Sequence, residues 1–394
     1  MIANGTPAVL GGRPAFERLV PILRPTLPDV DEMAAQMRAV LASGQLTNGE
    51  NVRRFEVAAA RYLGVAQCVA TSSCTSGLML TLRALGVMGD VVLPSFTFFA
   101  TAHAAVWNGL TPVFADCDPE TFNTDAACVE RALTPRTSAI LAAHLYGNPL
   151  AIEPLEQLAR RRGLRLVTDA AHAFGSRRSG RSLGGDGDAE IFSLSPTKTV
   201  IAAEGGLVAT DDADLARQLR AGRNYGDSGD YDPEFVGLNA RMSELHAVLA
   251  LASFAGVEAD VARRNAIARR YEDRLGKLAG LRFQRVREED RSTFKDFSIL
   301  VDPPAFGLER DALCRALKAE NVDVRRYFSP PVHRQRMYRG RATAPLPHTD
   351  AVANAVVSLP IYQSLGDDEV DGICSAIERV AGHAADVARA LERA

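Results

Sequence analysis

The sequence has no run of about 18 uninterrupted apolar residues, so nothing in it reads as a membrane-spanning helix. It has no Cys-x-x-Cys pair. Its six cysteines, Cys68, Cys74, Cys117, Cys128, Cys314 and Cys374, are scattered, and none joins histidines at zinc spacing. That argues against a metal site and fits buried or free thiols in a reducing, cytoplasmic compartment. Charge of one sign is also missing. A formal net charge of -3 provides no global field for nucleic acid or an anionic membrane. No Gly-x-Gly-x-x-Gly follows an early strand, which speaks against a nicotinamide-dependent dehydrogenase. Met1 to Phe16 lacks a basic start followed by an apolar run and is not expected to be a signal peptide.

What is present is 394 residues, 47% of them hydrophobic and 24% charged. That supports a sizeable core and more than one domain. Short apolar runs alternate with helical patterns. Val91–Pro94, Pro112–Ala115, Ser138–His144, Leu164–Thr168, Ile191–Ser193 and Gly206–Thr210 read as strands. Asp125–Leu133 and Ala151–Arg162 read as helices between them. Near-continuous apolar strands alternating with helices predict an α/β fold with a mostly parallel sheet covered on both faces. Residues 1–250 are expected to form a large domain. Residues 251–394 are expected to supply a linking helix and a smaller α/β domain, with the N-terminal segment packing on the latter. Arg241 to Leu278 reads as one long helical stretch interrupted only by Gly256 and Gly276. Beyond it come a strand (Phe294–Val301), a helix (Arg310–Glu320), a strand (Val322–Tyr327) and a last helix (Asp367–Ala381).

Polar residues gather just past these strands, where sheets of this kind collect their ligands. Asp169 closes the fourth strand, and Ser193 to Lys198 follows the fifth. Ser72-Ser73-Cys74-Thr75-Ser76-Gly77 precedes an apolar helix, and Phe96-Thr97-Phe98-Phe99 follows a strand. Each feature has an ordinary structural reading as cap, core or surface residue. Their order and spacing together match what pyridoxal phosphate (PLP) demands. A lysine amine holds the aldehyde. A carboxylate keeps the ring nitrogen protonated. A hydroxyl-rich helix start takes the phosphate, and a flat side chain lies against the ring.

At this point the chain resembles a known family, the DegT/DnrJ/EryC1/StrS sugar aminotransferases, a branch of the fold-type I PLP enzymes. Pro94-Ser95-Phe96-Thr97-Phe98, His144-Leu145-Tyr146-Gly147, Asp169-Ala170-Ala171-His172, Glu204-Gly205-Gly206 and Asn239-Ala240-Arg241-Met242-Ser243-Glu244 carry the likeness. Lys198, standing 29 residues after Asp169 and five after Ser193, adds to it. The resemblance implies that Lys198 forms the Schiff base and Asp169 pairs the pyridine nitrogen. It implies His172 beside the phenolic oxygen and Phe98 on the ring. Thr75, Ser76 and Ser193 would bind the phosphate, and Asn239 the phosphate of a neighbouring subunit in a homodimer. Cys74 and Ala240 depart from the commoner Gly and Tyr. Lysine rather than histidine at position 198 favours transamination over the family's dehydratase branch.

The resemblance extends to enzymes that aminate dTDP-4-keto-6-deoxyglucose at C-4 with L-glutamate in antibiotic deoxysugar pathways. Arg326-Tyr327-Phe328-Ser329-Pro330 with His333 carries this part. Tyr327, His333 and Arg241 are the residues expected at the sugar nucleotide. The basic, aromatic stretch Arg325 to Arg334 has the chemistry a nucleoside diphosphate needs. A 3-keto sugar or keto-cyclitol aminotransferase, and a non-catalytic PLP-binding regulator, are the alternatives.

Overall fold

The computed structural model describes residues 5–342 and 344–393. Met1–Asn4, the start of the segment read for a leader, lie outside them. The strands in chain order are β1 (Gln67–Thr71), β2 (Asp90–Pro94), β3 (Thr111–Ala115), β4 (Thr137–Ala143), β5 (Arg165–Asp169), the ribbon β6 (Arg177–Arg178) and β7 (Arg181–Ser182), β8 (Ala189–Ser193), β9 (Gly206–Thr210), β10 (Leu281–Phe283), β11 (Phe297–Val301) and β12 (Val356–Leu359). Seven build the main sheet in the order β1-β9-β8-β5-β4-β2-β3. Only β9 runs against its neighbours. All six strands expected between residues 91 and 210 are there, in the main sheet. The first, β1, was not anticipated: five residues with four in a row buried show no alternation to read.

Apolar residues on successive positions serve opposite faces, as a strand's period of two requires. Val91 and Leu93 join a core with Leu78, Leu141 and Ile191. Val92 joins Ile140, Leu155 and Leu158 on the other side. Helices therefore cover both faces, and the α/β class is as expected.

The smaller unit is a three-stranded antiparallel sheet, β10-β11-β12, with helices Arg310–Ala319, Asp367–Gly382 and Ala384–Glu392. Its core takes in Ile267, Tyr271 and Leu275 from the connecting helix, and Val20 from the N-terminal segment. Glu320 accepts the backbone N–H groups of Ala8 (2.9 Å) and Ala15 (2.8 Å), so the N-terminal segment lies on this unit.

Three expectations need correction. The long helical stretch is two helices, Glu244–Phe254 and Val257–Leu275, bent by 58°. The break falls at Ala255–Gly256, where the first helix finishes packing on the large unit. Val322–Tyr327 is not a strand. It makes only single bridges, Val20 to Val322 and Arg325 to Ser358 on the outer edge of β12. The helix expected as the last, Asp367–Gly382 in the structure, is followed by another, Ala384–Glu392, which buries Val387 in the small core. Among the described residues, no single helix is long and apolar enough to cross a membrane.

Candidate active site

Parallel strands end at a common edge, and that edge carries the site. Asp169 is the last residue of β5 and Ser193 the last of β8. Because β9 runs the other way, its first residue, Gly206, arrives at the same edge, paired with Thr71 and Ser193. A side chain at Gly206 would put its Cβ 2.4 Å from the backbone carbonyl of Ser73. Glycine there lets the start of helix Cys74–Ala84 sit against the sheet. A cavity of about 350 Å³ opens at this edge. Its walls include Ser73, Thr75, Phe98, Asp169, His172, Ser193, Lys198 and Tyr327.

Asp169 is buried. Its Oδ2 accepts from the Thr101 hydroxyl (2.7 Å) and its Oδ1 from the Ala171 N–H (3.1 Å). Burial raises its proton affinity, while the bonds from Thr101 and Ala171 and the positive charge of Lys198 offset part of that. Lys198 sits on a loop closed by backbone bonds from Leu194 to Gly205 (2.9 Å) and Ala202 to Leu194 (2.7 Å). Burial, and then the charge of Lys295, lower its pKa from 10.5 to about 8. A useful share of neutral amine is therefore present near neutral pH.

His172 Nδ1 accepts the Tyr146 N–H at 3.2 Å, so the ring's hydrogen sits on Nε2. Burial holds its pKa well below the usual value, so it acts as a neutral donor. Phe98 lines the cavity and is 45% exposed, a flat face still available to a ring. The thiol of Cys74 lies beneath, 4.0 Å from Asp169 Oδ1. Burial and that carboxylate keep it protonated.

The helix start divides its serines. Ser73 Oγ accepts the Ser76 N–H (3.0 Å), and Ser76 Oγ accepts the Ser73 N–H (3.1 Å). Ser76 is thus half of a capping box and does not line the cavity, contrary to its expected phosphate role. Ser73 and Thr75 do line it. The N–H groups of Cys74 and Thr75, in the first turn, have no helical acceptor.

His333 is also placed elsewhere. Its Nδ1 pairs with Ser95 Oγ (2.7 Å) and its Nε2 with Asp350 (3.2 Å), which fastens the Pro94–Phe98 segment from behind. The basic stretch around it is neutralised: Arg325 pairs with Asp323, Arg326 with Asp311 and Arg334 with Asp350. Only Tyr327 and Phe328 of that stretch reach the cavity. Asn239 and Arg241 lie outside it too. They form a surface cluster in which Arg241 bonds Asn239 (3.1 Å) and Asn224 (3.2 Å) and stacks near Tyr225.

Of the other motif residues, His144, Leu145, Glu204 and Gly205 also line the cavity, and several hold its walls in place. His144 Nδ1 accepts the Leu150 N–H, and its Nε2 faces Glu190 at 3.0 Å. Glu190 in turn caps Gly184 and Asp186, and Arg178 holds the Asp186 carboxylate. These three ligand-type residues lie within 4.8 Å of one another, but their lone pairs are already engaged. Tyr146, fully buried, donates its hydroxyl to the Tyr327 carbonyl and ties the two units together. Glu244 accepts from Gly49, Asn51 and Val52 at 2.8–3.0 Å and caps helix Glu50–Leu63.

Sequence reading missed Thr101, Lys295 and Asp296, and named Ser73 and Phe328 only within their motifs. One signal was available: Lys295 and Asp296 are adjacent charges beside an apolar strand, where charges are rarely buried without a task.

A lysine with a depressed pKa, a buried carboxylate, a neutral imidazole donor and a helix start at the ends of one mixed sheet define a fold-type I PLP-dependent transferase. The groups lining the cavity are of the kinds that cofactor needs: Asp169 would face the ring nitrogen, His172 Nε2 the phenolic oxygen, and Ser193, Thr75 and the helix N–H groups the phosphate. Comparison with known proteins agrees. Residues 29–378 match the DegT/DnrJ/EryC1/StrS aminotransferase family, and the chain belongs to that family. It is 36% identical over 352 residues to a UDP-N-acetyl-3-dehydro-alpha-D-glucosamine 3-aminotransferase of Acidithiobacillus ferrooxidans, covering 89% of this chain and 94% of that one. It is 32% identical to the dTDP-4-amino-4,6-dideoxy-D-glucose transaminase of Escherichia coli, covering 90% and 96%. The crystal structure of DesI in the presence of its TDP-sugar product superposes with a TM-score of 0.93 at 40% identity, over 98% of this chain and 99% of that one.

Proposed function

We propose that this enzyme moves an amino group from L-glutamate to the ketone of a nucleotide-linked keto-deoxysugar, dTDP-4-keto-6-deoxyglucose, giving the 4-amino-4,6-dideoxy sugar. The observation that carries the reading is the near-complete superposition on DesI, whose structure was solved with a TDP-sugar product, together with a cavity built around Lys198. Pyridoxal phosphate, when bound, supplies the aldehyde that carries the amino group and a ring that takes up electrons. Lys198 Nζ, neutral in part because it is desolvated, would take the proton from the amino acid's α-carbon and deliver it to the carbon of the cofactor's aldehyde, two bonds away across the nitrogen. Asp169 would accept the ring N–H and hold that nitrogen protonated. His172 Nε2 would donate to the phenolic oxygen. Phe98 would lie against the ring, and Tyr327 would border the sugar. One site serving both substrates in turn predicts ping-pong kinetics.

The working unit in this reading is a homodimer. Asn239 and Arg241 point away from their own cavity. In a two-fold pair each would complete the partner's site, Asn239 at the phosphate and Arg241 at the substrate. Large apolar side chains left exposed on this chain, Phe99, Trp107, Tyr225 and Val236 among them, support an apolar interface.

A second reading, amination at C-3, is favoured by the 36%-identical relative named for a 3-dehydro sugar. Incubation with PLP, L-glutamate and either the 4-keto or a 3-keto sugar nucleotide, with the product identified by NMR, separates the two. Formation of 2-oxoglutarate with no amino sugar from any ketone would overturn both.

A further inference from the structure

The inference rests on the amino-transfer reading above and names how one cavity serves two unlike ligands. The amino donor brings carboxylates to the reacting centre. The sugar ring brings hydroxyls and no charge. Among the described residues of this chain that line the cavity there is no arginine, and its two cations are Lys198 and Lys295; in the homodimer reading the partner's Arg241 is a third, reaching the substrate from the subunit interface. Lys198 is committed to proton transfer. Lys295 is held rigidly: its N–H donates to the Tyr146 carbonyl (2.9 Å), and its own carbonyl accepts from Arg264 (3.5 Å).

Its ammonium lies 2.8 Å from Asp296 Oδ1 and 5.4 Å from the centre of the Tyr327 ring. Both side chains are less than a tenth exposed. Asp296 Oδ2 is buried, and nothing donates to it. A buried carboxylate oxygen without a donor is costly, and it borders the cavity where a ligand would supply one. A lone buried lysine would be left uncompensated whenever the neutral sugar is bound. Paired with Asp296 it is not.

We propose that Lys295 and Asp296 are the substrate-reading pair of this site. The Lys295 ammonium receives the amino donor's α-carboxylate. Asp296 Oδ2 receives a ring hydroxyl of the sugar, and each neutralises the other between the two halves of the cycle. The same ammonium also contributes to the low proton affinity of Lys198.

The test uses the cofactor-loaded enzyme and follows the two half-reactions separately by the cofactor's visible absorbance. Lys295→Met should lower the second-order rate with L-glutamate roughly 10- to 100-fold and change the sugar half only a few-fold. Asp296→Asn should do the reverse. Titration with glutarate, which has carboxylates but no amine, should show binding weakened about tenfold or more by Lys295→Met and restored by Lys295→Arg. Lys295→Gln, which removes the charge but keeps a polar side chain beside Asp296, serves as the check if methionine fails to fold. Equal losses in both half-reactions for each variant, or unchanged glutarate binding, would overturn the assignment. If the unmodified enzyme reacts with L-glutamate but with no sugar ketone, the sugar reading fails while the glutamate and glutarate arms still decide the role of Lys295.

Discussion

Replacing Lys198 by methionine should make the cofactor-free enzyme more stable at neutral pH while removing its chemistry. An amine whose pKa is 10.5 in water titrates at about 8 in the folded chain, chiefly because burial disfavours its charge. A shift of that size corresponds to about 3 kcal/mol of folding stability. Below pH 8 the amine is charged in both the folded and the unfolded chain, and the folded state bears the whole cost. Between 8 and 10.5 the folded amine is neutral while the unfolded one is still charged, so the cost shrinks. Above 10.5 both are neutral and none remains. Methionine has a similar shape and no charge, so the variant should be more stable by about 3 kcal/mol at pH 7, falling towards zero near pH 10.5. Denaturant unfolding of the two cofactor-free proteins across that range measures the difference. A variant that is less stable at pH 7, or a gain that does not decline with pH, would refute the claim that Lys198 is held in a charge-disfavouring pocket. The trade matches the general cost of keeping a reactive group where water would not leave it.

Asp169→Asn should keep the fold and lower kcat about 100-fold or more, since the ring nitrogen loses its charged partner; near-normal steady-state rates count against the pairing. Gly206→Ala pushes a methyl into the Ser73 carbonyl, so pyridoxal phosphate should bind at least about tenfold more weakly in a fluorescence titration. Glu244→Ala orphans three backbone N–H groups at one helix start and should cost about 3–5 kcal/mol in unfolding experiments while leaving cofactor affinity within a few-fold. The rate of loading apoenzyme with pyridoxal phosphate should climb about tenfold per pH unit to about pH 8 and then level, because only neutral Lys198 attacks the aldehyde; a rise continuing steeply past pH 9 denies the shift.

Much of this site was readable in the chain because its parts are local. Asp169 and Ser193 end short strands, the first burying four of its five residues and the second all five. Lys198 follows on a short loop. Parallel strands covered by helices then force those ends to one edge. What sequence could not supply was direction and partnership. Ser76 and His333 are polar residues in plausible places. Whether a hydroxyl or a ring nitrogen faces a ligand or a neighbour depends on what folds against it, and both turned out to be engaged by Ser73, Ser95 and Asp350. Arg325, Arg326 and Arg334 looked like a phosphate cradle, but Arg325 pairs with the neighbouring Asp323, and the fold brings Asp311 to Arg326 and Asp350 to Arg334. In the opposite direction, Lys295 and Asp296 lie more than 90 residues from Lys198 in the chain. They enter its cavity only because the small sheet docks through Tyr146 and Tyr327. Periodicity and local motifs determine which elements form and what chemistry their ends can carry. Contacts between residues far apart in sequence decide which of those groups remain free to use it.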